Sequence, residues 1–426
     1  MKNLLVLVIT AITLALFVGG CDNGTGNNGG GGKDTTSGKD TTGNKDTNTI
    51  NWIEIANTNW YSDDKIEFTI TTAEQLAGLA KIVNSGNEFL GKTIKLGANI
   101  TLNDTINWEN WATTAPKRIW TPIGISSSRF KGEFYGMGYV VSGMYINNSE
   151  DYQGLLGFTG NGAIVKSLGV VAFFVKGKNN IGGLSGQSYE SYYLDCYSIG
   201  KTEGIELYTG GLAGSAVRGE IIDCYAMGNV KGNDCVGGLL GSGSSKLINS
   251  FAAGNITGVS NVGGLVGFGG GEIDGCYAIG NIKGNGNGKG IGGLVGGSSG
   301  SLISNCYATG NVENGIDIGG LVGSFGVLGI YGEVNNCYSI GEVTKGKGYT
   351  GGLVGQKSLS EITNCYYDRE TSKQNDEDCF SCPERGEGKT TAEMKQQETY
   401  TDWDFTNIWG IDPSINNGYP YLLDNY

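Results

Sequence analysis

The sequence predicts an all-β chain wound as a right-handed parallel β-solenoid, and three observations carry the prediction. A five-residue glycine signature returns at a near-constant interval. The pieces between its copies are short, β-branched or aromatic, and bounded by Gly and Asn, which is strand and turn chemistry. The composition is glycine-rich without proline, 77 Gly against 5 Pro in 426 residues, which excludes collagen, while a hydrophobic share of 38% is enough to build a core.

The signature is Gly182-Gly183-Leu184-Ser185-Gly186, and the same pattern starts at Gly210, Gly237, Gly263, Gly292, Gly319 and Gly351, at intervals of 28, 27, 26, 29, 27 and 32 residues. A period in this range marks units that bury their apolar faces only by stacking on one another. About 28 residues complete one coil that stacks ~4.8 Å above the last, whereas antiparallel propeller blades need ~40. The expected rod has about ten coils and a length of roughly 50 Å. Its hand follows the general preference for right-handed crossovers.

Taken in chain order, residues 1–20 read as an export signal: Lys2 precedes an apolar run from Leu4 to Val18, too short to span a bilayer as a helix. The run ends Val18-Gly19-Gly20-Cys21, which resembles a bacterial lipobox and makes Cys21 the expected lipidation site. Residues 21–50 are, after Cys21, almost all Gly, Asn, Thr, Lys and Asp, with Lys33-Asp34-Thr35-Thr36 echoed by Lys39-Asp40-Thr41-Thr42, a composition that makes a tether and no core. An exported, lipid-anchored protein of the outer membrane or cell surface is expected.

Residues 51–125 should hold an N-terminal cap and the first coils. Thr71-Thr72-Ala73-Glu74-Gln75 has a capping-box pattern, with Leu76, Leu79, Ala80 and Val83 on one helical face and Gly86 as the stop. The solenoid proper is expected over 126–370, with Phe134 to Tyr139 and Gln153 to Gly157 as degenerate early coils. Residues 371–426 form an irregular segment and a second cap, opened by Thr390-Thr391-Ala392-Glu393 and rich in Trp and Tyr. Capping protects the open strand edges of a solenoid.

Each coil carries a second signature, seen as Asn305-Cys306-Tyr307-Ala308-Thr309-Gly310-Asn311. Stacking would align Cys196, Cys224, Ser250, Cys276, Cys306, Cys337 and Cys365 in a column of small side chains, which interior packing explains. Parallel side chains oppose disulfides, and one thiol per layer is no tetrahedral metal site. The preceding residues, Asp195, Asp223, Asn249, Gly275, Asn305, Asn336 and Asn364, tolerate left-handed backbone and suit a corner whose amides hydrogen-bond along the rod. The following residues, Tyr197, Tyr225, Phe251, Tyr277, Tyr307, Tyr338 and Tyr366, would form an aromatic stripe. Burial between strand layers is favoured for it over an exposed platform for glycans.

The Gly-Leu-x-Gly core, here Gly293-Leu294-Val295-Gly296 with six counterparts, resembles the GLUG-motif repeat family. The resemblance implies a bacterial cell-surface repeat, often adhesin-like and sometimes attached to an IgA-directed metallopeptidase. No HExxH motif is possible in this chain, because it has no His.

Absence of His also removes Ser-His-Asp and Cys-His catalysis. A Walker-type phosphate loop is lacking as well: Gly386-Glu387-Gly388-Lys389-Thr390 has Pro383 where Walker A needs Gly. Cys379-Phe380-Ser381-Cys382 is half a zinc site, and in an exported protein a local disulfide is the plainer reading; Cys235 is expected as an unpaired, partly buried thiol. A net charge of −13 disfavours nucleic acid. The expected function is a non-catalytic, adhesin-like rod without cofactors, presenting itself to a glycan or protein ligand. The alternatives are a β-helix lyase or hydrolase and a purely structural envelope lipoprotein.

Overall fold

A computed structural model describes residues 49–375 and 385–425. Cys21, the tether, Cys379 and Cys382 lie outside the described residues. Coils stack through parallel strands in register, so that Tyr277 pairs with Tyr307 and Tyr307 with Tyr338. One wall has eleven strands, from Glu67–Ile70 through Thr93–Leu96 and Glu133–Tyr135 to Ser360–Thr363. The coils therefore begin at Glu67, far ahead of the first glycine signature, and the rod has eleven rungs, which at ~4.8 Å each is roughly 50 Å.

A second wall holds the strands that follow each Cys. A third runs from Leu156–Gly160 to Val354–Lys357, and a fourth from Leu207–Gly210 to Thr350–Gly351. Inside, Leu184, Leu212, Leu239, Leu265, Leu294, Leu321 and Leu353 form a fully buried column, each side chain worth about 1.5–3 kcal/mol on burial. A smaller interior beside it is filled by Val230, Val236, Ile256, Val262, Ile282, Ile291, Val312 and Ile318.

The paired glycines are dictated by approach distance. A Cβ on Gly264 would stand 2.0 Å from the carbonyl oxygen of Gly293 in the next coil and 2.8 Å from the methyl of Ala278 across the interior. Small residues on both walls let the backbones close, and the Leu beside them fills what remains.

Helix α1 (Ala73–Asn84) closes the N-terminal end, with Thr72 and Gln75 in a reciprocal capping box and Leu76, Leu79, Ala80 and Val83 buried. Thr390 and Glu393 repeat that box at the short helix Thr391–Met394. Within the C-terminal segment, strand Glu387–Lys389 pairs with Tyr366–Asp368 at the end of the stack, and the rest does more than close that end. Its hairpin of Trp409–Gly410 and Tyr421–Leu422 folds back along the flank of the second wall, where Trp409 reaches Tyr307 and Tyr338. The reason is hydrophobic: that flank carries the aromatic column, the apolar surface that the coils turn outward.

Candidate functional site: an outward aromatic ladder and its open groove

Three side-chain columns follow from the Asx-Cys-aromatic sequence. At the corner, Asp195, Asp223, Asn249, Gly275, Asn305, Asn336 and Asn364 all have φ between 47° and 61°. This left-handed residue turns the next side chain inward, so Cys196, Cys224, Ser250, Cys276, Cys306, Cys337 and Cys365 stand in one buried column. Sulfur accepts the amide of the preceding coil's residue, as in Cys276 N–H to Cys306 Sγ at 3.4 Å, and donates to a carbonyl two residues back. Ser250 does the same with oxygen, accepting from Cys224 N–H at 3.1 Å. Burial pushes the thiols of Cys224, Cys276, Cys306 and Cys337 well above the usual range, which keeps them protonated and unreactive. All seven described cysteines are free, and Cys235 is buried, more so than the sequence implied.

Strand alternation then turns the aromatic column outward. The favoured expectation of packing holds for Phe251, Tyr277, Tyr307, Tyr338 and Tyr366, which are buried, and not for Tyr197 and Tyr225; the burial is not between the coil's own walls, because the layer beneath is occupied by Ala226, Ala252, Ala278 and Ala308 and the rings stand on the outer side of the wall. Tyr307, Tyr338 and Tyr366 are covered from outside by aromatic side chains of the C-terminal segment. From Tyr197 to Tyr338 successive ring centroids are 4.8–5.1 Å apart with planes within 7°. Each ring face is thus turned to its neighbour, leaving edges and hydroxyls for anything outside.

The hydrogen-bonded amide ladder also sits elsewhere than expected. It runs through Asn229, Asn255, Asn281 and Asn311, each Oδ1 accepting the backbone N–H of the next coil at 3.1–3.2 Å and the last accepting that of Glu342 at 2.9 Å. In the corner column the comparable amide contact is Asn305 Nδ2 to the Asp274 carboxylate of the coil before, 2.8 Å. The signal for the true ladder was present in the recurrent Gly-Asn-Val/Ile triplets, such as Gly310-Asn311-Val312.

The ladder is covered over part of its length. Trp403 and Trp409 lie on Tyr338, Tyr419 runs parallel to it, and Tyr338 donates its hydroxyl to the Pro420 carbonyl at 2.6 Å. Tyr366 leaves the stack and meets Tyr400 edge-on. Fully buried Asp368 pins this strap, accepting from Tyr419 and Thr391 at 2.7 Å each. Toward the N-terminus the cover ends. Tyr197 and Tyr225 are half-buried, and beside them Ile199, Met227, Phe251, Ala253 and Ile279 line a groove of about 290 Å³. Trp108 and Glu109 from the N-terminal insertion form its wall, held by Lys201, whose ammonium donates to the Glu109 carbonyl at 2.7 Å and sits over the Trp108 ring.

Comparison with known proteins yields a family model, the GLUG motif, matching residues 287–313. A protein of Evansella cellulosilytica that carries the name Gly-rich membrane protein is 34% identical over 134 residues, 29% of this chain and 14% of that protein. The chain thus matches a small part of its relative's length. Among solved structures, one from Bacteroides ovatus named for immunoglobulin A1 protease covers 85% of this chain and 93% of its own at 20% identity and a TM-score of 0.38. Another, named IgA1 protease, covers 70% of this chain and 21% of its own at 18% identity and the same TM-score. The matched stretch includes Gly292 to Gly296: the chain carries a GLUG motif at 287–313, and the same glycine-leucine pattern recurs in six other coils of the β-solenoid.

Proposed function

We propose that this chain is a non-catalytic, ligand-presenting rod of a bacterial cell envelope, anchored through Cys21 and held away from the membrane by the tether. The observation that carries the reading is the open stretch of the outer face. The ladder is outward throughout, the strap covers its C-terminal part, and an apolar groove stands uncovered on an otherwise regular rod. A concave, mostly apolar recess is the form that binding sites take. The chain is similar to a protein named as a membrane protein, which agrees with an envelope location. Glycan stacking is disfavoured, because sugars pack on ring faces: those of Tyr225 are taken up by Tyr197 and Phe251, and the Tyr197 ring packs between Tyr225 and Gly169. A protein ligand fits better.

Protease accessibility on intact cells expressing the full chain tests this, with Cys21→Ala as the anchoring control. Digestion on intact cells, and release of the Cys21→Ala protein from the envelope, are the expected results. Protection until the envelope is opened would overturn surface presentation.

A further inference from the structure

Resting on that reading, we propose that the open stretch is a docking groove for a polypeptide segment that places a large apolar side chain, such as tryptophan, next to a basic residue. The strap shows what this face holds. It lies on a continuation of the same ladder, as a chain segment whose indoles stand 6.0–6.2 Å from the Tyr307 and Tyr338 rings, and whose backbone carbonyl accepts the Tyr338 hydroxyl. Further along that ladder, Tyr197 and Tyr225 stand in the same register beyond the reach of the strap, with their rings half-exposed. Their hydroxyls are placed to do for an incoming chain what that of Tyr338 does for Pro420.

The charge of the rim chooses the partner. Exposed Asp195 and Asp223 flank Tyr197 and Tyr225, and burial, with Asp195 adding to it, holds both phenols above their usual range. Glu109 adds a third carboxylate at the opposite wall. Lys201 is the cation that lines the groove, and it is engaged by Trp108 and the Glu109 carbonyl. Further out, past the asparagines, Glu203, Lys231, Lys283 and Glu313 share one row and carry both signs along the rod. A segment that lies in the groove and reaches across the Tyr197 and Tyr225 rings therefore meets an apolar floor and, beyond the rings and outside the groove lining itself, the acidic edge of Asp195 and Asp223, which complements a basic residue and repels an acidic one. The strap itself carries Asp402, Asp404 and Asp412, so a copy of it has the apolar side chains but the wrong charge.

That difference supplies the probe. Two fluorescein-labelled peptides are titrated into the full-length protein and followed by anisotropy: the strap sequence from Tyr400 to Leu422, and the same sequence with Asp402→Lys, Asp404→Lys and Asp412→Lys. The basic peptide should bind at least about tenfold more tightly than the acidic one, and added salt should narrow the gap. Asp195→Asn with Asp223→Asn keeps residue types that this corner already uses and should erase the preference. Ile199→Lys, at a half-exposed position, should abolish binding while the circular dichroism spectrum is retained. Equal binding of the two peptides, or binding that survives Ile199→Lys in a folded protein, overturns the assignment. Failure of both peptides while intact cells still expose the chain to protease sinks the groove and spares the rod. Protection on intact cells sinks presentation whatever the peptides do.

Discussion

The two halves of the aromatic ladder share one backbone and one ring spacing but differ in what lies over them. At Tyr307 and Tyr338 the rings are closed in by Trp403, Trp409, Tyr419 and Leu422, and the column belongs to a second hydrophobic core. At Tyr197 and Tyr225 the same geometry meets solvent on one side. The ladder is therefore a scaffold whose energetic meaning is set by its cover, since the stacking energy of the rings is common to both halves and the burial of their edges is not.

The largest expected effect tests the covered half. Trp409→Ala removes a fully buried indole from the strap and should destabilise the protein by about 3–5 kcal/mol in urea unfolding. Tyr225→Ala in the open half should cost about 1–2 kcal/mol, since a half-exposed ring loses less burial. Equal costs would mean that the stack, and not the cover, holds the ladder. Next in size, Asn281→Ala cuts one rung of the amide ladder, leaving the N–H of Asn311 without its acceptor, and should cost about 1 kcal/mol.

The inner columns should respond to pH. Phenols and thiols that burial holds protonated, among them Tyr400, Tyr419, Cys276 and Cys306, release protons more readily in the unfolded chain. Above the unfolded values of about 8.5 for Cys and 10 for Tyr, the unfolded state binds fewer protons than the folded one, so stability should fall as pH rises from about 9. Urea midpoints measured across that range check the sign. Smallest of all, Cys306→Ser should change stability by less than about 1 kcal/mol, because Ser250 already fills a rung of the column. Alkylation mapped by peptide should leave Cys196, Cys224, Cys276, Cys306, Cys337 and Cys365 unlabelled in the folded protein and label them in urea. Ready labelling in the folded state would show that the column opens.

Much of the fold was legible because each coil repeats its own instructions. The 26-to-32-residue interval, the paired glycines and the left-handed corner before each Cys are local rules, and a local rule copied seven times reads clearly. The early coils were harder to read: strands Glu67–Ile70 and Thr93–Leu96 pair in register without any Gly-Gly-Leu core between them. Least legible was which face the aromatic residues take. Period-two alternation says that Tyr307 and Ala308 point to opposite sides, but it does not say which side is inside. That depends on the small-residue contact between Ala308 and Gly293, and on a strap whose Pro420 lies 82 positions beyond the Tyr338 it covers. The groove needed both, together with an insertion from residues 108 and 109, so no single stretch of sequence displays it.

The asparagine ladder and the paired glycines make neighbouring coils interchangeable, and this bears on how such a chain can vary. Trp108 is fixed to the early coils and the strap to the last ones, so the span of open groove is counted in the coils that lie between them. Duplicating one coil, for example Gly237 to Val262, would preserve every ladder, leave the strap on its own seat, and lengthen the open face by one step of about 4.8 Å. Deletion would shorten it by the same step. The reach of the open face is thus a whole number written in the copy count of the repeat.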